Sequence, residues 1–436
     1  MRIFRIFFCG CLLAGLALHA QEQPPKQLIE EVVFRNLKRI SEHVLMSELN
    51  MVEGMAYSEA QLREAHFRLE RLPFVREVAF ALRKGSKRGN YRLEITVQET
   101  YRFFWVADFT YDYLQDDTPQ YERGFEPSAN NLGFGWRWFT KKGEFQVLIP
   151  GVVSYTRYNP WGKDMILNVS AGVVSSNLGT RVGFTKSGPY GPDGNYAKVK
   201  YAGGALAISG LAGFRVGNGN HWVNVGASRA WSGINRLETL GTDYYVRDSN
   251  SSLSEIFTEH IYNSTDETLF ITKGLRIQSG LAFTEEDTQF ETPDFAPVVN
   301  PATRRYTLFN SGVKAWALRR NQGLGLRWSG WYSKIKAGTP DEAAETLEFG
   351  DYSKQVLNVN LFWGRNFMRP KLWGGSHDFR LELKAGAEKG DASIASAFPV
   401  EDDPRVYGQF SITGRSNHGV WRFSIGYTKY HPGVWR

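Results

Sequence analysis

Hydrophobic patterning changes character near residue 100. Before that point, helical and strand periods alternate. Ile29, Val32 and Val33 among Glu30 and Glu31 predict a strand over 28–34. Residues 36–40 turn the chain, and Ser41 is placed to cap a helix running to about Leu49, with Val44, Leu45 and Leu49 on one face. Gly54 ends that region. Ser58-Glu59-Ala60-Gln61 forms a capping box, in which serine and glutamine side chains each satisfy a free amide of the other's backbone. The helix it starts places Leu62, Ala65, Leu69 and Leu72 on one stripe. Pro73 stops it, lacking a donor and driving Leu72 out of helical geometry. Residues 75–82 alternate, with Val78, Phe80 and Leu82 opposite Glu77, Ala79 and Ala81. Gly85 and Gly89 bracket a turn, and Tyr91, Leu93, Ile95 and Val97 alternate again. The predicted order is β-α-α-β-β, with a terminal hairpin and both helices on one sheet face.

From Tyr101 the helical period disappears. Phe103, Trp105, Ala107 and Phe109 alternate with Arg102, Asp108 and Thr110; Phe134, Trp136 and Trp138 with Gly133, Gly135 and Arg137. Leu381, Leu383 and Ala385 alternate with Arg380, Glu382 and Lys384, and Trp421, Phe423, Ile425 and Tyr427 with Arg422, Ser424, Gly426 and Thr428. A soluble sandwich alternates too. The strands here are long, one face mixes charged with small residues, and aromatics cluster near strand ends. These features predict an all-β transmembrane barrel with a polar lumen. Strand starts near 103, 132, 145, 167, 182, 197, 211, 222, 256, 275, 306, 324, 356, 379, 406 and 420 give about 16 strands, an even count as bacterial barrels usually have. The alternation of long and short connections slips once between 181 and 231, so one strand there is miscounted.

Composition agrees with a barrel. Aromatic residues make up 14% of the 436 positions and there are 44 glycines, which suits aromatic girdles and tight turns. The longest apolar run after the N-terminus, 203–214, is too short and too rich in glycine and alanine for a membrane helix. Residues 1–20 read as a signal peptide: Arg2 and Arg5, an apolar core from Ile6 to Ala17, and Leu18-His19-Ala20 as cleavage site. Both cysteines, Cys9 and Cys11, lie inside it, and the branched aliphatic residue of a lipidation site is missing there. The processed chain therefore has no thiol chemistry. The formal net charge of +7, or +5 without Arg2 and Arg5, argues against a nucleic-acid partner.

No catalytic constellation emerges. The eight histidines are scattered, with no His-Glu-x-x-His, no Gly-x-Ser-x-Gly and no phosphate loop. Pairs such as Glu382 with Lys384 read as lumen lining, and Asp116-Asp117 and Asp402-Asp403 as solvated loop charge. No enzyme, cofactor or metal site is expected.

The N-terminal order resembles a polypeptide-transport-associated (POTRA) domain. The resemblance lies in Asn36-Leu37-Lys38-Arg39-Ile40-Ser41, in Gly54 followed by Tyr57-Ser58, in the run from Leu69 to Val78, and in Ile95-Thr96-Val97-Gln98-Glu99. Arg35-Asn36 departs from the family's glycine before the asparagine. The resemblance implies a sheet with the 75–82 strand at an edge. An extended polypeptide would pair there through backbone hydrogen bonds, at Val75, Val78, Phe80 and Leu82. The alternative is an edge covered by the protein itself. The basic tip Arg83-Lys84 and Lys87-Arg88 is either a solvated turn or a contact with anionic head groups.

One such domain followed by a barrel resembles the outer-membrane assembly and secretion superfamily of the Bam and Tam kind. Asn130-Asn131-Leu132-Gly133-Phe134-Gly135 is similar to its first-hairpin motif, and Tyr158-Asn159-Pro160-Trp161 to its strand-end turn. Its late-loop Val-Arg-Gly-aromatic motif is missing: Arg123-Gly124-Phe125 follows the first strand, and Val246-Arg247-Asp248 lacks the glycine. The resemblance implies a signal peptide at 1–20, a POTRA domain with a short linker at 21–100 and an outer-membrane barrel at 101–436. It also implies a lateral seam between first and last strands, at Phe103, Trp105, Phe109, Phe423, Ile425 and Tyr427, weakened at its end by His431-Pro432-Gly433. The implied function is assembly, insertion or translocation of polypeptides at the outer membrane, with the POTRA domain in the periplasm. Its partners would be outer-membrane lipid, unfolded polypeptide clients and periplasmic accessory proteins. A passive pore or structural barrel is the alternative.

Overall fold

A computed structural model describes residues 27–115, 128–149, 152–162, 164–174, 183–185, 197–217, 219–240, 243–267, 269–292, 295–336, 352–367, 371–372, 375–376, 378–393 and 405–430. The expected signal peptide, Asp116-Asp117, Arg123-Gly124-Phe125, Asp402-Asp403 and His431-Pro432-Gly433 lie outside them.

The N-terminal unit runs β1 (Gln27–Arg35), α1 (Glu42–Leu49), β2 (Met55–Tyr57), α2 (Glu59–Glu70), β3 (Val75–Lys84) and β4 (Asn90–Glu99). The short β2 is an addition to the expected order. Its sheet is ordered β2-β1-β4-β3, with β1 parallel to β4 and the other pairs antiparallel. Both helices pack on one face, where Val44, Leu45, Leu49, Ala65 and Leu69 meet Ile29, Leu93, Ile95 and Val97. The Ser58–Gln61 capping box forms as read. Ser41 precedes α1 but its hydroxyl caps nothing; its N–H instead donates to Lys141 O across the junction with the barrel. Glu99 Oε1 accepts the N–H groups of Lys38, Arg39 and Ile40, which ties the first turn of the domain to the end of its last strand.

The barrel strands are β5 (Phe103–Gln115), β6 (Ser128–Phe139), β7 (Gly143–Ile149), β8 (Val152–Tyr158), β9 (Met165–Val174), β10 (Gly183–Thr185), β11 (Ala197–Val216) and β12 (His221–Leu240). They continue as β13 (Asp243–Asn263), β14 (Gly274–Thr292), β15 (Phe295–Arg319), β16 (Gln322–Lys336), β17 (Tyr352–Phe367), the small hairpin β18 (Lys371–Leu372) and β19 (Gly375–Ser376), β20 (Asp378–Ser393), β21 (Arg405–Arg415) and β22 (Gly419–Tyr430). Because β9 also pairs with β11, the sheet closes as a ring of fifteen strands, with β10 added to the far end of β11. This agrees with the expected strand number, though the membership differs. Starts at 197 and 211 belong to one strand, which removes the slip in connection parity, and β8 is an addition. Neighbours are antiparallel everywhere in the ring except at its closure, where β22 runs parallel to β5.

Large apolar side chains stay exposed on one face: Phe145, Val169, Leu206, Ile208, Ile256, Leu281, Trp316, Leu361, Leu383 and Ile425 among them. They alternate with the polar set that faces inward, including Glu144, Thr284, Asn360, Arg380, Ser411 and Ser424. An apolar outside around a polar inside is the arrangement of a membrane-spanning barrel. No helix among the described residues is long and apolar enough to cross a membrane. Register is pinned by rings laid over glycines directly opposite: Phe257 on Gly226, Phe309 on Gly280, Trp328 on Gly312, Phe362 on Gly325, Trp421 on Gly414 and Trp105 on Gly419. A Cβ at any of these glycines would stand 2.1–2.4 Å from the ring, closer than atoms can approach.

Candidate functional site: the junction of the α+β domain and the barrel mouth

The end of the barrel that carries the N-terminal domain is termed proximal. The domain and this end share one apolar core. Phe74, just after α2, meets Phe139 edge-on at 5.9 Å and Tyr158 at 5.3 Å, with Phe104 beside them. All four are buried, and burying Phe74 alone contributes roughly 1.5–3 kcal/mol. Polar contacts surround this core. Glu48 pairs with Arg215 at 2.6 Å, and Arg215 also lies over Trp222. Ser47 donates to Asp164 at 2.5 Å, and Asn159 Nδ2 donates to His43 O. Asn159 has φ +46 and Trp161 φ +59, so the Asn159-Pro160-Trp161 turn is a sharp left-handed corner beneath the domain. Arg68 donates to the carbonyls of Glu48 and Leu49, satisfying groups the end of α1 leaves open. Burial, with Arg215 nearby, lowers Arg68 to about 10. Sequence reasoning singled out the run from Leu69 to Val78 but missed Arg68, Arg71, Phe74 and Arg76 as its docking groups. Three arginines bracketing Leu-Pro-Phe-Val were the available signal.

β3 lies at the sheet edge, and its first residues face the barrel. Arg415 Nη2 donates to Val75 O at 2.7 Å, and Arg76 bonds Asn417 and lies 3.6 Å from Asp378. Val78 is satisfied from its own domain: His66 Nε2 stands 2.9 Å from its carbonyl and its N–H donates to Glu70. The side chains of Val75 and Val78 are core, Phe80 is half-buried against His66, and Leu82 is exposed. Outward backbone groups recur every second residue on an edge strand, so the next pair belongs to Phe80 and Leu82. The protein thus covers the start of the edge and leaves its far half uncovered by these contacts.

Between β13 and β14, residues 264–267 and 269–273 lie over the proximal mouth. Asp266 gathers the N–H groups of Glu267, Thr272 and Lys273. Ile271 packs on Val313, Ala315 and Phe362 inside the ring. Asn366 Nδ2 donates to Phe270 O at 3.2 Å, and Arg415 pairs with Glu267 at 2.5 Å. The turn therefore reaches from β13 and β14 across to β17 and β21. Gly274 restarts the strand at φ +113, where a Cβ would stand 2.4 Å from Ser264 O. From the N-terminal domain, Arg71 donates to Asn263 O at 2.7 Å and Thr265 O at 2.9 Å, with its remaining nitrogen on Glu64. Lys273 lies over Phe67 at 5.3 Å. Burial raises Glu70 and Glu267 each to about 7. Above the turn, Glu382 takes a forked pair from Arg327 and a bond from Arg380, whose Nη1 donates to Asn366. Glu382 is thus partnered by two arginines, and Lys384 lies over Tyr407.

At the ring closure, β22 and β5 pair from Gly419–Trp105 to Lys429–Gln115, with Phe423 opposite Phe109. Phe109, Phe423, Ile425 and Tyr427 face outward and exposed, as does Phe103, which precedes the paired stretch, while Trp105 covers Gly419. Its proximal end is stapled by Tyr101 N–H to Asn417 O, Trp105 N–H to His418 O, and Tyr101 stacked on His418 at 4.0 Å. The start of β3 and the foot of this closure therefore meet at the 416–418 turn. Among the described residues no cluster of three or more metal-ligating side chains occurs.

Residues 27–100 match the POTRA family model, described as a surface antigen variable number repeat. No curated protein sequence matches the chain. Similar solved structures include BamA from Haemophilus ducreyi lacking POTRA domains 1–3, at 12% identity over 92% of this chain and 84% of that one, TM-score 0.40. CdiB from Acinetobacter baumannii is 10% identical over 92% and 74%, TM-score 0.39, and CdiB from Escherichia coli 8% over 95% and 89%, TM-score 0.34. With residues 27–100 matched to that model and the remaining described strands closed in a ring, a POTRA domain is joined here to a membrane-spanning β-barrel.

Proposed function

We propose that this protein handles polypeptides at the outer membrane, in assembly, insertion or translocation, with its POTRA domain in the periplasm. One observation carries this reading: β3, whose outward edge runs on through Phe80 and Leu82, begins at the foot of the β5–β22 closure. An unfolded client would add a strand at Phe80 and Leu82 through backbone hydrogen bonds, largely regardless of its sequence. It would then be passed to the closure, where the parallel pairing is slightly weaker per residue than the antiparallel pairing elsewhere in the ring. Outer-membrane lipid surrounds the apolar face, and accessory proteins would deliver clients to the domain. The signal peptide at 1–20 would supply export.

The test is a lock. Cysteines at Phe109 and Phe423, opposite each other in register, would join first and last strands. Oxidation is expected to abolish client assembly and reduction to restore it; undiminished assembly in the oxidised protein would refute the proposal. A structural barrel without insertase activity is the second reading, favoured by the shared core that holds the domain against the mouth. Client-barrel levels that stay constant after depletion, with conductance by the purified protein, would establish it.

A further inference from the structure

The turn at residues 264–273 differs from a solvent-exposed hairpin connection. Phe270, Ile271 and Thr272 are buried, and Thr265 is 1% exposed. Its contacts reach strands far round the ring, at Phe362 and Asn366 on β17 and Arg415 on β21, besides Val313 on the neighbouring β15. It therefore lies as a chord across the lumen at the proximal end.

Besides these barrel contacts, a clamp on this chord comes from the other domain. The guanidinium of Arg71 takes two backbone carbonyls at once, Asn263 O where β13 ends and Thr265 O where the turn begins, and Glu64 fixes the third nitrogen. A planar fork aimed at two carbonyls is a positional clamp, which a lysine's single ammonium does not reproduce. Arg71 caps the C-terminal end of α2, one turn beyond Phe67 under Lys273, and its neighbours Leu69 and Leu72 are buried in the POTRA core. Glu267 joins Arg415, which in turn holds Val75 O at the start of β3, so a second connection runs from the turn to the domain.

We infer that residues 264–267 and 269–273 form a gate across the proximal mouth of the lumen, latched shut by the POTRA domain through Arg71. Displacement of the domain withdraws the clamp, and the turn is then held inward by the seating of Ile271, by Asn366 and by the Glu267–Arg415 pair within the barrel. The inference concerns access to the lumen and is independent of the cargo.

The full-length protein in planar bilayers tests it, with heat-modifiable migration confirming a folded barrel for each variant. Wild type is expected to conduct poorly. Arg71→Ala, and Ile271→Asp, which makes burial of the turn unfavourable, should each raise mean conductance about tenfold or more, the scale of losing one or two charge-assisted hydrogen bonds. Arg71→Lys should fall between Ala and wild type. Arg63→Ala, on the exposed face of the same helix and paired with Glu59, should match wild type. Ile271→Cys provides an independent readout, since the only native cysteines are Cys9 and Cys11. A membrane-impermeant maleimide added on the POTRA side should label it in the Arg71→Ala background and spare it otherwise. Folded Arg71→Ala protein that conducts and labels like wild type overturns the latch. Ile271→Asp that conducts like wild type overturns the gate.

Discussion

Val78 has both backbone polar groups satisfied by α2, its carbonyl by His66 and its N–H by Glu70, whereas His66 meets Phe80 ring against ring and Leu82 lies further along the strand. Proline at an outward position of an edge strand removes a donor the ladder does not use. Leu82→Pro is therefore expected to leave the domain folded, at a stability cost of about 1 kcal/mol or less. It should weaken capture of an unfolded peptide several-fold, checked by fluorescence anisotropy with urea unfolding as control; undiminished capture would move the client site elsewhere. At this scale some details were legible and others were not. The Ser58–Gln61 box could be read because its partners are three residues apart. Arg71 and Arg76 could not, because their partners include groups roughly 190 to 340 residues away, such as Asn263 and Asn417, and the partners of Arg68 and Phe74 lie on other elements.

The end of α2 meets the 264–273 turn through two carboxyl groups, and their titration acts on the pair of elements together. Burial raises Glu70 and Glu267 from 4.5 to about 7. Around them stand Arg415, Arg76, His66, Glu77, Asp266 and Asp378. A carboxyl whose pKa is raised binds more protons in the docked state, so docking gains from acid: the contribution is full below 4.5, declines as pH rises to about 7, and is absent above it. Protease nicking of the 264–273 turn should accordingly increase between pH 5 and about 7, and Glu267→Gln should flatten that rise; a profile flat in wild type would remove the two groups from the junction's energetics. Helices and strands of the POTRA domain were readable from period and caps. Strands β12 to β15 were readable only in part, because stretches such as Asp243 to Ser254 carry no apolar–polar alternation in the sequence to detect. β8 was hidden by its brevity, seven residues in all.

For the molecule as a whole, the pairing of a small α+β unit with a long alternating chain was enough to read a domain on a barrel. Connection parity also located the place of the miscount, now seen as one strand, β11, divided in two. The direction of closure was beyond such reading, since it depends on whether the ring holds an odd or even number of strands. Fifteen strands leave β22 pointing the same way as β5, so Tyr430 stands at the end of the barrel remote from the POTRA domain. That parity makes the two sides of the membrane distinguishable by serology. With the POTRA domain in the periplasm, as proposed, an epitope grafted after Tyr430 should bind antibody on intact cells. The same epitope in the 86–89 hairpin turn should bind only after the envelope is breached. An even, wholly antiparallel ring would hide both, so one pair of tagged strains reads the handedness of the closure from outside the cell.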